Sequence, residues 1–377
     1  MSDDVIKESA VDLIHVCNNY TSSKVHKLIG DHMRSQFQTQ AFIIPVRSRG
    51  ELGVSDESDS TVSLTPVFYR NRILRFLPLV KVTCVFFLAF SALNRFFSNK
   101  RTKAVLAHNF WSDGMVVFFY SFFKKVKFTL VVRNTDINVF IPSLPHYRWL
   151  MKLMIRRSHA LVFVSEAHRK TFRCRFPKLY ESAARTSVIP NGLESFWFDH
   201  ENSSSFRETR ICYVGRFNKN KNLKRLVEAC ELLLDDCPDL ELVLVGGEAH
   251  ELAELLARAV PGFVRVLGTI RDKERLKEIY RSSRVFAMPS ITETFGLVYL
   301  EALSQGCAVV HTRRQGIDGM FDFPFVQAVD PLDINSISAS LGKLLQYENG
   351  IDTAQVQDIL GQFSWESVGK RYAGIVQ

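Results

Sequence analysis

Four side chains in the C-terminal half of this 377-residue chain are of types that handle phosphates and sugars. Two are acids, Glu293 and Glu301, eight positions apart in the stretch PSITETFGLVYLEALSQGCAVV, residues 289–310. The preceding RVFAMP reads as a short buried strand ended by Pro289, which cannot donate to a following ladder. Phe295-Gly296-Leu297 opens a helix with Leu297, Leu300, Glu301 and Ser304 on neighbouring turns of one side. Gly306 ends it, and CAVVHT is again β-branched and apolar. The unit is strand, loop, helix, strand, the crossover of a parallel sheet. Glu293 then sits at the carboxyl end of a strand near the positive N-terminus of the helix, and Glu301 projects about one turn further along. Free N–H groups of a first helical turn can cradle a phosphate, a carboxylate beside them can hold sugar hydroxyls, and a second can reach a ribose diol. Two solvated surface charges are the alternative. Gly296 weighs against it, because a glycine among helix formers costs roughly 1 kcal/mol and points to a backbone that something approaches closely.

The other two are cations. RICYVGRFNKNKNLKRLVEACELLL reads as a strand ending at Gly215 and a helix starting near Asn222, with Arg216 and Lys221 in the loop between. Two cations there can reach one diphosphate and neutralise a departing nucleotide.

From about Ile211 to Phe321 these features resemble the E-x7-E signature and the G-R-x4-K loop of the retaining GT-B glycosyltransferases, glycosyltransferase family 4, also called glycosyl transferases group 1. The resemblance implies an α/β, GT-B fold: two Rossmann-like domains facing across a cleft, with the C-terminal helix crossing back to the N-terminal domain. It implies that Glu293 contacts the donor sugar and Glu301 the nucleotide ribose, with the amides of Phe295, Gly296 and Leu297 on the diphosphate. By the same likeness Gly215, Arg216, Lys221, Gly246, Thr269 and Ile270 join them in donor binding, the Gly268 to Arg271 end of the strand FVRVLGTI meeting the base through its backbone. The catalytic set implied is His108, Arg216, Lys221 and Glu293.

Length and composition agree with a two-domain globular enzyme. Nearly half the residues are apolar, and the net charge of +9 favours anionic partners without choosing among them. The seven cysteines, Cys17, Cys84, Cys174, Cys212, Cys230, Cys237 and Cys307, contain no C-x2-C pair and are odd in number. Reduced core thiols in a cytoplasmic protein are the expectation. The acidic, polar start MSDDVIKESA does not read as a secretory signal.

In the N-terminal half VDLIHV is a strand, Ser22 or Ser23 caps a helix whose apolar face is Val25, Leu28, Ile29 and Met33, and QAFIIPV is the next strand. Asn18 to Ser23 stands where the family often carries paired glycines, so Ser22, Ser23 and Lys24 are the weaker contact candidates there. Residues 47–65 read as a polar loop. The stretch 69–101 mixes aromatics with Arg and Lys. Its uninterrupted apolar part, Val82 to Phe90, falls far short of the ~20 residues of a bilayer crossing, and Pro78 is expected to break the preceding helix. Such a segment packs one face into its domain or lies on an anionic membrane surface, and both readings stay open. It lacks the base-reading polar residues of a nucleic-acid helix. AVLAH ends a strand in His108, at the crevice where α/β sheets bind ligands, and the resemblance places such a histidine near donor sugar and acceptor. Asn109 follows it. Arg133 to Asn138 is a polar cluster at the end of the strand FTLVV, so the acceptor candidates are Ser22, Asn109, Arg133 and Asp136. A capping role for Asp136 is the structural alternative. The best linker candidate is residues 198–209. The expected domains are 1–198, acceptor-binding and joined by the terminal helix 364–377, and 199–363, nucleotide-sugar-binding.

The function implied is transfer of a sugar, with retention, from a nucleoside diphosphate sugar to a hydroxyl of a glycan or lipid-linked acceptor, in bacterial surface polysaccharide synthesis. The place expected is the cytoplasm or the inner face of its membrane. The chain contains no D-x-D pair, so neither metal nor cofactor is expected. The other classes are a nucleotide-sugar epimerase or phosphorylase on the same scaffold, and a non-catalytic membrane-associated scaffold. The first would act on donor alone or carry pyridoxal phosphate on a lysine, and the second would leave the donor intact.

Overall fold

Short β-branched and apolar runs, alternating with amphipathic helices, set up parallel sheets covered on both faces. In a computed structural model, residues 11–46, 62–68, 78–98, 102–198, 208–347, 351 and 353–377 are described. The chain forms two units, one of Met1–Val164, Arg169–Pro190 and Trp365–Gln377, the other of Ser165–His168 and Asn191–Ser364.

The first unit carries β1 (Leu13–Val16), β2 (Gln40–Val46), β3 (Val62–Phe68), β4 (Ala104–Ala107), β5 (Phe128–Val132), β6 (Ala160–Phe163) and β7 (Thr186–Val188). They are ordered β3-β2-β1-β4-β5-β6-β7 in one parallel sheet. Successive strand residues point to opposite faces. Ile14, Val105, Leu130 and Leu161 enter one core with Phe86 and Phe118, while Leu13, Leu106, Val131 and Val162 enter another with Trp365 and Tyr372. The second core is closed by the terminal helix Trp365–Val376 packing on Lys24–His32, so tightly that a Cβ on Gly369 would overlap the His32 carbonyl.

The second unit carries β8 (Glu208–Val214), β9 (Glu241–Val245), β10 (Val264–Val266), β11 (Ser283–Met288), β12 (Ala308–Thr312) and β13 (Val326–Val329). They are ordered β10-β9-β8-β11-β12-β13, again all parallel. In each unit the first strand is central and the chain runs outward on one side before returning to the other. The direction reverses between β1 and β4, and between β8 and β11. Ligands of open α/β sheets bind at such switch points, beyond the carboxyl ends of the strands.

Some expectations need correction. The loop expected over 47–65 gives way to β3 from Val62, paired parallel to β2; residues 47–61 lie outside the described residues. β3 is an edge strand, which is where Pro66 can sit without breaking a ladder. Pro78 begins a helix, Pro78–Ser98, of 21 residues. At a first helical position its missing N–H has no partner to lose, and residues 69–77 lie outside the described residues. The helix's stretch Val80–Phe97 is, by length and composition, long and apolar enough to cross a membrane, far more than the apolar run Val82–Phe90 implied. The division between units falls at Pro190/Asn191 rather than at 198, and of the expected linker Phe198 ends a helical turn, Glu208 and Thr209 belong to β8, and 199–207 lie outside the described residues.

Candidate functional site

At the β8/β11 switch point the loop after β8 is bound to the loop after β11. Asn220 does most of the binding: its backbone carbonyl accepts from Ile291 N (2.8 Å), its Oδ1 accepts from Thr292 N (3.1 Å) and Thr292 Oγ1 (2.8 Å), and its Nδ2 donates to Thr292 O (2.9 Å). Asn222 adopts φ 60°, which asparagine tolerates better than most residues, and its amide donates to the carbonyls of Pro289 (3.0 Å) and Pro331 (2.7 Å). Between these two asparagines Lys221 is aimed inward. Its Nζ lies 2.6 Å from Glu293 Oε2, an ion pair with side-chain exposures of 20% and 13%. The sequence-predicted cation and acid thus meet, though 72 residues separate them.

Glu293 is held from several sides. Its backbone N–H donates to Gln315 Oε1 (3.2 Å), its carbonyl accepts from Gly316 N (3.3 Å), and its Oε1 accepts from Thr294 N (3.0 Å). Gly316 has φ 52°, and a Cβ there would press Phe295 O at 2.8 Å and Glu293 Cγ at 3.3 Å. Burial, with the nearby Glu293 charge, raises the phenols of Tyr213 and Tyr299 above their ordinary range. Tyr299 Oη donates to Met288 O (2.7 Å), and Tyr213 Oη to Arg216 O (3.1 Å), fixing the ends of β11 and β8. Arg216 itself is exposed.

Gly296, at φ 82°, caps the helix Leu297–Ser304, and a Cβ there would overlap the Tyr299 ring. Phe295 is buried in the core, so only its backbone can serve a ligand. Glu301, in the second turn, accepts from Tyr280 Oη (3.2 Å), and burial pushes its carboxyl up to about 7. At the end of β9, Gly246 has φ 116°; its N–H donates to Gly268 O (2.8 Å), and a Cβ would overlap the Gly215 carbonyl. Gly215 donates to Val245 O (2.9 Å). Thr269 is exposed and Ile270 half-buried in the loop after β10. The strand ends of β8, β9 and β10 are therefore joined through glycine backbones.

The first unit is built differently. His108 is fully buried and turned inward: its Nε2 meets His15 Nδ1 at 2.9 Å and its Nδ1 meets His26 Nδ1 at 3.0 Å. His15 Nε2 continues the chain to Gln40 Oε1 (2.8 Å). Both ring nitrogens of His108 are engaged, so the sugar contact expected of it would cost one of these bonds. Burial lowers all three imidazoles, His15 to about 4 and His26 to about 2, which keeps them neutral. Cys17, His26 and His108 each offer a ligand atom within 4.8 Å of the others. The Arg133 guanidinium lies 3.5 Å from His26 Nδ1, the wrong charge to set beside a metal cation.

Asp136 also turns inward. Its carboxylate accepts from the N–H groups of Phe110 (3.3 Å), Trp111 (3.1 Å) and Arg133 (2.9 Å), tying the loop after β4 to the loop after β5. That is the capping alternative rather than an acceptor contact. Asn109, nearly buried, donates to Asp113 Oδ2 (2.7 Å) and Asn18 Oδ1 (2.8 Å). Arg133 Nε donates to His108 O (3.1 Å). Ser22 ends the turn Tyr20–Ser22, and its side chain lies outside the described residues. The sequence reading missed Asp113, fully buried and raised to about 7 by that burial, together with His15 and His26. Polar residues inside apolar β1 and the helix Ser112–Tyr120 were the available signal.

The fold is shared with solved structures along nearly the whole chain. Sucrose-phosphate synthase of Thermosynechococcus elongatus matches with a TM-score of 0.68 at 18% identity, over 97% of this chain and 98% of that one. A trehalose-6-phosphate enzyme of E. coli bound with UDP-2-fluoro glucose matches with 0.70 at 13%, over 97% and 99%. These define the fold as GT-B. Residues 208–346, within the second unit, match the family described as glycosyl transferases group 1. Among curated relatives, the O-antigen chain mannosyltransferase B of Escherichia coli is 32% identical over 41% of this chain and 42% of its own length. The D-inositol 3-phosphate glycosyltransferase of Corynebacterium jeikeium is 36% identical over 37% and 36%. The chain spans less than half the length of these two relatives.

Proposed function

We propose that the protein transfers a sugar from a nucleoside diphosphate sugar to a hydroxyl of a glycan or lipid-linked acceptor, with retention at the anomeric carbon and without a metal. The observation that carries this reading is the Lys221–Glu293 pair across the β8/β11 switch point, 2.6 Å long and largely shielded from water. In the resting protein the two charges hold each other in position. When donor binds, the ammonium exchanges the carboxylate for a diphosphate oxygen, and Glu293 is released to accept from sugar hydroxyls. As the bond to the anomeric carbon breaks, negative charge grows on the departing diphosphate, and Lys221, Arg216 and the amides at Gly296 and Leu297 receive it. Glu301 accepts from the ribose diol. The reading is supported by the family match of residues 208–346 and by relatives whose names are those of glycosyltransferases. A role in surface polysaccharide synthesis draws support from the E. coli O-antigen enzyme, and a reducing, cytoplasmic setting from seven cysteines of which none is paired.

The test has two stages. A thermal-shift screen against UDP, GDP and their sugars should reveal one nucleotide that raises the melting temperature, since only the folded protein binds it. Incubation with the matching sugar nucleotide should then release nucleoside diphosphate, faster with acceptor, and the product's anomeric configuration read by NMR should match the donor's. Sugar epimerised without acceptor would replace the reading by an epimerase, and failure of every nucleotide to bind would end it.

A further inference from the structure

Large apolar side chains left exposed are concentrated in one part of the chain. Val80, Phe87 and Leu88 of the helix Pro78–Ser98, Phe122 and Phe123 after the helix Ser112–Tyr120, and Trp149 and Leu153 of the helix Arg148–Arg157 all lie in the first unit. The described residues of the second unit contribute Leu232 and Leu332 to that set. The patch is continuous through ring contacts. Phe87 meets Phe86 at 5.4 Å, Phe86 meets Phe123 at 6.0 Å, and Phe123 meets Phe90 at 5.3 Å. Beside it Phe122 lies under the Arg157 guanidinium at 4.6 Å. Arg157 also donates to Ser121 O (2.8 Å), which joins the helix Arg148–Arg157 to the same turn. Along that helix Trp149, Leu153 and Arg157 recur every four residues, so they share one stripe.

The charge along this part of the chain is mostly positive. From Pro78 to Tyr180 the sequence holds 18 Lys and Arg against three acids. Two of the three, Asp113 and Asp136, are fully buried, and Glu166 belongs to the second unit. Arg95, Lys124, Lys125, Arg148, Arg156 and Arg157 are exposed. Exposed aromatics bordered mainly by Lys and Arg match the boundary of an anionic bilayer. The helix Pro78–Ser98 is long enough to cross a membrane, yet Val82, Val85, Phe86, Ala89, Leu93 and Phe96 bury one face of it in the unit's core. Crossing would strip that face from the core, and lying flat would not.

We propose that this face docks the protein on an anionic phospholipid surface, with Phe87, Phe122 and Phe123 inserted among acyl chains and the surrounding Lys and Arg on headgroups. The docking does not depend on the transferase reading, because it needs neither donor nor acceptor. It is tested by sedimentation of the full chain with vesicles of phosphatidylcholine, alone or mixed with phosphatidylglycerol. The protein should bind the mixed vesicles and leave them in high salt. The triple variant Phe87→Ser, Phe122→Ser, Phe123→Ser should lower partition about tenfold or more, and Lys124→Glu with Lys125→Glu about tenfold. Both should keep the wild-type melting temperature and nucleotide binding, which separates lost docking from lost folding. Trp149 is the exposed tryptophan of the four, so its emission should shift to the blue on the mixed vesicles and become shielded from aqueous quenchers. Equal binding to neutral vesicles, no binding to either, or an oligomer abolished by the triple variant without lipid binding would each overturn the proposal.

Discussion

Lys221 and Glu293 show how a side chain's environment sets its worth. An exposed Lys–Glu pair contributes little, but this one is mostly shielded, and the Asn220 and Gln315 bonds fix both loops around it. Lys221→Ala should lower turnover by about 10²–10³-fold, the loss typical of one group aimed at developing charge. Near-normal turnover would remove Lys221 from the site. Glu301 carries a second residue-scale prediction. Its carboxyl is raised to about 7 by burial, so below that value it is a neutral acid and above it a charged acceptor. Affinity for the bare nucleoside should therefore rise from about pH 6 to about pH 8, and Glu301→Gln should flatten the profile. The nucleoside avoids phosphate titration in the same range, and calorimetry at several pH values reads the result. A wild-type profile as flat as the variant's would detach Glu301 from the ribose.

At the scale of elements, most strands were legible because each is a buried β-branched run, and β2 and β12 coincide almost to the residue with QAFIIPV and CAVVHT. β3 was not, since V-S-L-T-P-V-F has the polar alternation and proline of an edge strand and continues a polar stretch. The helix Thr353–Leu360 went unread for want of a clear apolar stripe. Lys221 and Glu293 were legible because both stand at strand-end loops with helices following. The inward turn of His108 was not, because it depends on which strands neighbour β1 and β4. Glycines at the site behave as the close-approach argument requires. Gly246→Ala forces a side chain into φ 116° and against the Gly215 carbonyl, so it should cost about 1–3 kcal/mol or more and weaken nucleotide binding. Gly262→Ala, with open space around it, should do neither; thermal melts of the two variants make the comparison.

At the scale of the whole molecule, charge and stability are unevenly distributed. Residues 78–180 carry a net +15, leaving −6 for the rest of the chain. The first unit holds three neutral buried imidazoles, His15, His26 and His108, the last two near Arg133, and two buried acids, Asp113 and Asp136. Their folded pKa values lie below the ordinary 6.5, so once pH drops beneath that value the unfolded chain binds protons that the fold refuses. Stability contributed by these groups is full above 6.5 and is lost as pH falls toward 4, where His15 begins to titrate. Asp113 and Asp136 act with opposite sign. Raised to about 7 and about 6, they hold protons in the fold that the unfolded chain has released, which favours the fold at lower pH. Three histidines outweigh two acids, and the net effect is a loss of stability between about pH 6.5 and pH 5. Asp113→Asn removes one opposing group and should make that loss steeper, whatever the variant's stability at neutral pH. Denaturant melts across this range measure both slopes, and a wild-type stability that holds level or rises on acidification would mean that the imidazole chain carries protons in the native protein.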